Sequence, residues 1–246
     1  MTAGAQQDAG ASVDTAAAGM RQFALICDCD GVLIDSEAVA ARMLVRELEA
    51  RWPGADVEAV VLPLLGLRIE RVLRDAAARL GRTLDAADID AIRRPVEAAA
   101  VQAPAVDGIE AALAQVPLVK GCASNSYRPY VETVLARTGL ARFFGDRLFC
   151  ADSVPNPKPA PDVYLAAARG VGLAPGACLV VEDSVTGATA ATAAGMTVLG
   201  FVGGGHASDA QIDRLHAAGA RHVFDDMRQL PELVAQWTLS ATAAAP

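Results

Sequence analysis

The sequence has no apolar run near the roughly 18 residues that a membrane-spanning helix needs. It has no excess of basic residues: 21 Lys and Arg stand against 29 Asp and Glu, a net charge of −8 over 246 residues. Affinity for a phosphate backbone comes from clustered cations, so nucleic acid is excluded as an expected partner. The five cysteines, at 27, 29, 122, 150 and 178, form no CxxC pair. All but Cys29 lie in or beside apolar runs, as reduced, packed thiols do. The opening MTAGAQQDAGASVDTAAAGM has neither a basic start nor an apolar stretch, so it does not read as a secretory signal. An odd cysteine count without such a signal points to the cytoplasm. Residues 1–20 are too poor in bulky apolar groups to order and are expected to be a disordered tail, and 238–246 a flexible one. Aromatic residues are few, at 4%. The core must therefore be filled mainly by Ala, Val and Leu, in one large domain or two small ones.

What is present is alternation. Short apolar runs recur at 23–27, 118–123, 147–150, 178–182, 197–201 and 222–224. Helix-like segments separate them. Val131, Val134 and Leu135 recur at helical spacing before Gly139, and an Ala-rich run over 187–194 ends at Gly195, where C-terminal caps belong. Strand–helix alternation predicts right-handed crossovers and an α/β doubly wound parallel sheet. Residues 37–104 break the pattern. No strand signal occurs there, and Ile69, Val72, Leu73, Ala76 and Leu80 fall on one helical face. The expected organisation is a catalytic core of 21–36 plus 105–237 with a helical cap, 37–104, inserted after the first strand.

Open parallel sheets bind ligands outside the carboxyl ends of their strands. The first run is followed by Asp28 and Asp30, the second by Ser124 and Asn125, and the fourth ends in Glu182 and Asp183; Lys158 precedes the helix near 163. Asp28 and Asp30 fall on one side of the chain if it stays extended. Two close carboxylates need a cation, and four acids suit a hard ion such as Mg²⁺. A hydroxyl, a lysine and backbone amides near Gly31 and Asn125 supply the opposite charge. Together they suit a phosphoryl group, whose transfer is mainly positioning and charge stabilisation.

Each residue alone has a plainer reading. Aspartate at a strand end is a turn or cap residue. Ser124, Asn125 and Ser126 suit a helix cap. Lys158 between two prolines suits an exposed loop, Asp162 a helix cap, and His206 in GGGHAS a flexible surface loop. Cys29 reads as a spacer, since the neighbouring carboxylates would raise its pKa. The plainer readings fail jointly, because the pieces fall in order at consecutive strand ends.

Four segments, DCDGVLIDSE, ASNS, KPAPDVY and VVEDSVTGATAATAAGM, resemble the signatures of the haloacid dehalogenase superfamily, in its subgroup with a helical cap after the first strand. The likeness spans about residues 22–235. It implies that Asp28 is a nucleophile forming a phospho-aspartate and that Asp30 protonates the leaving oxygen, then activates water. It implies Mg²⁺ held by Asp28, the Asp30 backbone carbonyl and Asp183, assisted by Glu182. Ser124, the Asn125 amide and Lys158 would grip the phosphoryl oxygens. Gly31 would let the backbone turn tightly beneath the phosphate.

The resemblance also separates reactions. Dehalogenases proper lack the second aspartate, present here as Asp30. Phosphonate-cleaving members use a cap lysine, and 37–104 contains none. Mutases of the β-phosphoglucomutase type carry a histidine where Ala40 stands, and an arginine three residues after the cap-loop glycine. Here Gly66 is followed by Arg68 at two and Ile69 at three. The cap loop LLGLRIERVL is closer to bacterial phosphatases of sugar, sugar-acid or polyol phosphates, including 6-phosphogluconate phosphatase. The expectation is a Mg²⁺-dependent phosphatase of small phosphorylated metabolites, monomeric or a small homo-oligomer, with Arg68 and Arg71 as substrate-specificity residues; Arg71 and Arg74 equally suit a solvated helix face. The alternative is a mutase. A non-enzymatic receiver-like phospho-acceptor is more remote, because receivers place their aspartate after the third strand and lack a cap.

Overall fold

The structure, a computed structural model, describes residues 23–64, 69–203 and 209–243. The chain opens on β1 (Ala24–Cys27) and then enters four helices, α1 (Ser36–Arg51), α2 (Val57–Val61), α3 (Ile69–Arg79) and α4 (Ala86–Val101). It returns through α5 (Ile109–Gln115), β2 (Val119–Ser124), α6 (Arg128–Arg137), α7 (Ala141–Phe144) and β3 (Leu148–Cys150). The second half runs through α8 (Asp162–Val171), β4 (Cys178–Glu182), α9 (Val185–Ala193), β5 (Thr197–Phe201), α10 (Asp209–Ala217), β6 (Ala220–Phe224) and α11 (Leu230–Ala243).

The six strands form one parallel sheet in the order β3-β2-β1-β4-β5-β6. β1 and β4 are buried along their whole length, as strands covered by helices on both faces must be. That is why ALIC and CLVVE read as unbroken apolar runs. From β1 the chain winds outward to β3, crosses back, and winds the other way from β4 to β6. The order therefore reverses between β1 and β4. Their register, Cys27 beside both Cys122 and Val181, brings the ends of β1, β2 and β4 to one edge. A crevice opens at such a reversal.

The helical segment expected after the first strand is present. It leaves and rejoins the core as an antiparallel ribbon: Ile34 bridges Ala105, the Asp35 N–H donates to the Pro104 carbonyl at 2.9 Å, and Val106 N–H donates to Leu33 at 3.0 Å. Its helices have an apolar cluster of their own, including Leu44, Leu48, Val61, Leu73, Ile92 and Val96. The periodicity over 69–80 is that of α3, which buries Val72, Leu73 and Ala76.

The C-terminal tail needs correcting. Residues 238–243 are helical, the last turns of α11. Composition misled there. Alanine favours helix, Trp237 and Val234 anchor the preceding turns in the core, and Ser240 and Thr242 donate back to the Gln236 and Thr238 carbonyls. Residues 1–20, Arg68 with Gly66, and His206 lie outside the described residues. No described helix is long and apolar enough to cross a membrane.

Candidate active site

Asp28 is the first residue past β1, and its N–H still donates to the Val181 carbonyl at 3.0 Å, extending the ladder. Beyond it the chain turns. Leu33 and Ile34 both donate to the Cys29 carbonyl, and Gly31 donates to Ile34 at 2.8 Å. The chain does not stay extended, so the two aspartates reach different partners. Gly31 has φ +77°, and a Cβ there would overlap the Asp183 carboxylate. Glycine is thus required twice, for the left-handed turn and for the approach of an acid.

Lys158 is buried despite its flanking prolines. Its three N–H donors are all engaged: to Asp28 Oδ1 at 2.5 Å, Glu182 Oε1 at 2.6 Å and the Ala123 carbonyl at 2.9 Å. The Tyr164 ring lies 4.9 Å away, within cation–π reach. Three neighbouring strand ends thus converge on one ammonium. The Asn125 side chain holds the backbone of this residue from both sides. Its Oδ1 accepts from Lys158 N–H at 2.8 Å and its Nδ2 donates to the Lys158 carbonyl at 3.1 Å. Lys158 and Lys120 are the only two lysines of the chain. Lys120 is also buried, donating to the Val116 and Leu118 carbonyls at 2.5 and 3.1 Å, where the C-terminus of α5 favours a cation.

Glu182, the last residue of β4, is fully buried. Oε1 accepts from Lys158 and, at 2.6 Å, from the Tyr164 hydroxyl; Oε2 accepts from Ser184 Oγ at 3.0 Å and Ser184 N–H at 3.2 Å. Ser184 also caps α9, accepting from Gly187 N–H at 3.0 Å. Gly187 passes so close to Glu182 that a Cβ would overlap its carboxylate. Asp28, Glu182 and Asp183 each offer an oxygen within 4.8 Å of the others.

Three acids thus crowd around one lysine. Burial pushes the Asp28 carboxyl up, to about 8, with Glu182 and Asp30 adding to the rise and Lys158 opposing it. Burial raises Asp183 too, with Glu182 and Asp28 next in effect. Burial alone would lower the Lys158 ammonium, but Asp28 and Glu182 reverse this and hold it above its ordinary value. The donor set is all oxygen, and its three carboxyls, once ionised, carry more negative charge than the lysine neutralises, which fits a hard divalent cation. The Asp30 carboxylate is not in that cluster.

Asp30 is gripped separately. Oδ1 accepts from Ser36 Oγ and Tyr130 Oη, both at 2.7 Å, and Oδ2 accepts from Ser126 Oγ at 2.8 Å. Ser124 is buried at the end of β2, where its Oγ accepts from Ser126 N–H at 3.0 Å. Neither Ser124 nor Asn125 caps the next helix, whose N-cap residue is Tyr127. Asp162 opens α8 rather than capping it, and accepts from Asn156 at 3.2 Å. Arg71 is 68% exposed and pairs with Asp75 at 2.7 Å along its own helix, the solvated-face geometry. The Cys29 thiol is raised, but Cys122 and burial are the leading causes and the carboxylates come after.

Sequence reasoning assigns no site role to four residues that contact the acids: Ser36, Ser126, Tyr130 and Tyr164. Tyr164 had a signal, since it stands in KPAPDVY on the buried face of α8, and a buried tyrosine hydroxyl needs a partner. Tyr130 had none, lying 100 positions from the aspartate it meets.

Residues 24–195 match the family model for haloacid dehalogenase-like hydrolases. The chain belongs to that family, and it is an enzyme, a hydrolase. Among its relatives is a 6-phosphogluconate phosphatase of Escherichia coli K12, 26% identical over 85% of this chain and 93% of that protein. A fructose-1-phosphate phosphatase of the same organism is 31% identical over 72% of this chain and 94% of its own length. The crystal structure of a conserved haloacid dehalogenase-like protein of unknown function from Agrobacterium tumefaciens superposes with a TM-score of 0.80. It is 32% identical and covers 87% of this chain and 99% of that one.

Proposed function

We propose that this hydrolase is a Mg²⁺-dependent phosphatase that cleaves sugar, sugar-acid or polyol phosphates through a phospho-aspartate on Asp28. The carrying observation is the Lys158 ammonium between Asp28 and Glu182, with Asp183 beside them, at the reversal point of the sheet. One edge thereby offers a fixed positive charge for phosphoryl oxygens and carboxylates for a cation. The two Escherichia coli relatives are named as phosphatases of a sugar-acid phosphate and a sugar phosphate.

Asp28, Asp183 and the Asp30 backbone carbonyl would hold Mg²⁺, with Glu182 behind them fixing Lys158. When bound, the ion supplies charge neutralisation, so that a phosphate dianion can approach an anionic nucleophile. Asp28 attacks phosphorus and Asp30 protonates the departing oxygen. Ser124, the Asn125 amide and Lys158 bind the phosphoryl oxygens, and Asp30 then takes a proton from the attacking water. The inserted segment, 37–104, acts as a cap carrying substrate contacts. Five free, buried thiols fit a reducing cytoplasm. The partner is the small phosphorylated metabolite, and the protein works as a monomer or small homo-oligomer.

A panel of phosphorylated metabolites with Mg²⁺ tests the assignment by phosphate release. EDTA should abolish turnover and Mg²⁺ should restore it. Ca²⁺ should inhibit, because it prefers more ligands at longer distances. Full activity in EDTA would remove the metal from the reading.

A further inference from the structure

We propose that Tyr130, together with Ser126 and Ser36, positions the Asp30 carboxyl so that a single direction is open for proton transfer. This rests on Asp30 being the acid–base group of the phosphatase reading. An ionised carboxylate has about four acceptor positions. Three are filled: two on Oδ1, by Ser36 and Tyr130 at 2.7 Å, and one on Oδ2, by Ser126 at 2.8 Å. No donor among the described residues fills the fourth, on Oδ2, and we assign it to the leaving oxygen or the incoming water. The donors come from three places: the first residue of α1, the loop after β2, and the first turn of α6. Tyr130 is the best anchored. The next residues of its helix, Val131, Val134 and Leu135, are buried in the core, and its own ring packs against the same cluster. Asp30 itself sits in a turn, where its side-chain torsions would be free without these contacts. Holding a reacting group in its productive geometry is worth a large part of a barrier.

In the first step a bond forms between an Asp28 oxygen and phosphorus, and the ester P–O bond breaks. The departing oxygen takes the proton from Asp30 Oδ2. In the second step water gives a proton to Asp30 while its oxygen bonds phosphorus, and the Asp28–phosphorus bond breaks. An alkoxide needs that first proton, whereas p-nitrophenolate leaves without it. kcat/KM reports events only through departure of the leaving group. Tyr130→Phe keeps the ring and loses the hydroxyl. It should lower kcat/KM for glycerol phosphate at least about tenfold more than for p-nitrophenyl phosphate, as part of the 10²–10⁴-fold that a positioned acid supplies. It should also lower kcat on p-nitrophenyl phosphate, because the water step needs Asp30 with either substrate. Ser126→Ala should give the same pattern, and Ser126→Thr should restore it. Equal losses of kcat/KM on both substrates, or none, would assign these hydroxyls to packing and overturn the inference alone. No turnover of any phosphomonoester by the unaltered enzyme with Mg²⁺ would overturn the phosphatase reading and the inference with it.

Discussion

Asp28→Asn should leave no measurable turnover on any phosphomonoester, a loss of at least about 10⁴-fold in kcat, while the protein should stay folded. The amide oxygen can still accept from Lys158, but it cannot form the phospho-enzyme. Lys158 keeps Glu182 and the Ala123 carbonyl as partners, so its charge is not stranded. The substitution also removes one of three crowded carboxylates. In metal-free protein the melting temperature should therefore hold or rise, as when a strained functional group is neutralised. Asp30→Asn should behave differently, losing about 10²–10⁴-fold, since it spares the nucleophile. Steady-state rates beside melting curves check both. An Asp28→Asn protein with more than a few per cent of activity would end the covalent reading.

Gly187→Ala should be among the most damaging changes outside the reacting groups. Helix propensity alone predicts the reverse. Gly187 lies inside α9, and alanine there should gain about 1 kcal/mol. The geometry decides against it, because the new Cβ would occupy the space of the Glu182 carboxylate. Neither side can yield easily. Gly187 is on helical backbone, and Glu182 is fixed by Lys158, Tyr164 and Ser184. Overpacking of this kind costs about 1–3 kcal/mol, and breaking a hydrogen-bonded buried ion pair adds to it. We expect the melting temperature to fall by about 4–10 °C. Activity should fall about 10²-fold, since displacing Glu182 lets Lys158 swing from the phosphate position. A more stable variant with full activity would mean that Glu182 is not held as described.

β1 and β4 were legible because burial on both faces leaves unbroken apolar runs, and the inserted segment because its helical periodicity interrupts the alternation. The order of acids, hydroxyl and lysine at successive strand ends was legible for the same reason: the topology brings those ends together. Side-chain surroundings were not. Lys158 looks like loop because its neighbours are prolines, yet acceptors from three strands draw it inward. Asp30 depends on donors 6, 96 and 100 positions away, and no local pattern records such distances. Glu182 read as an auxiliary acid for the metal. Its contacts make it first a support for Lys158.

Both lysines lie inside the molecule, pinned by carbonyls and carboxylates. Every positive side chain at its surface is therefore a guanidinium or an imidazole. Amine chemistry has no lysine to act on: acylating reagents and lysine-directed cross-linkers find no exposed ε-amino group while the fold is intact. Reducing sugars, which condense with lysine amines, meet the same refusal. Lysine acylation thus becomes a report on opening of the core. It should stay at background in the native enzyme and appear at both positions together when the sheet comes apart.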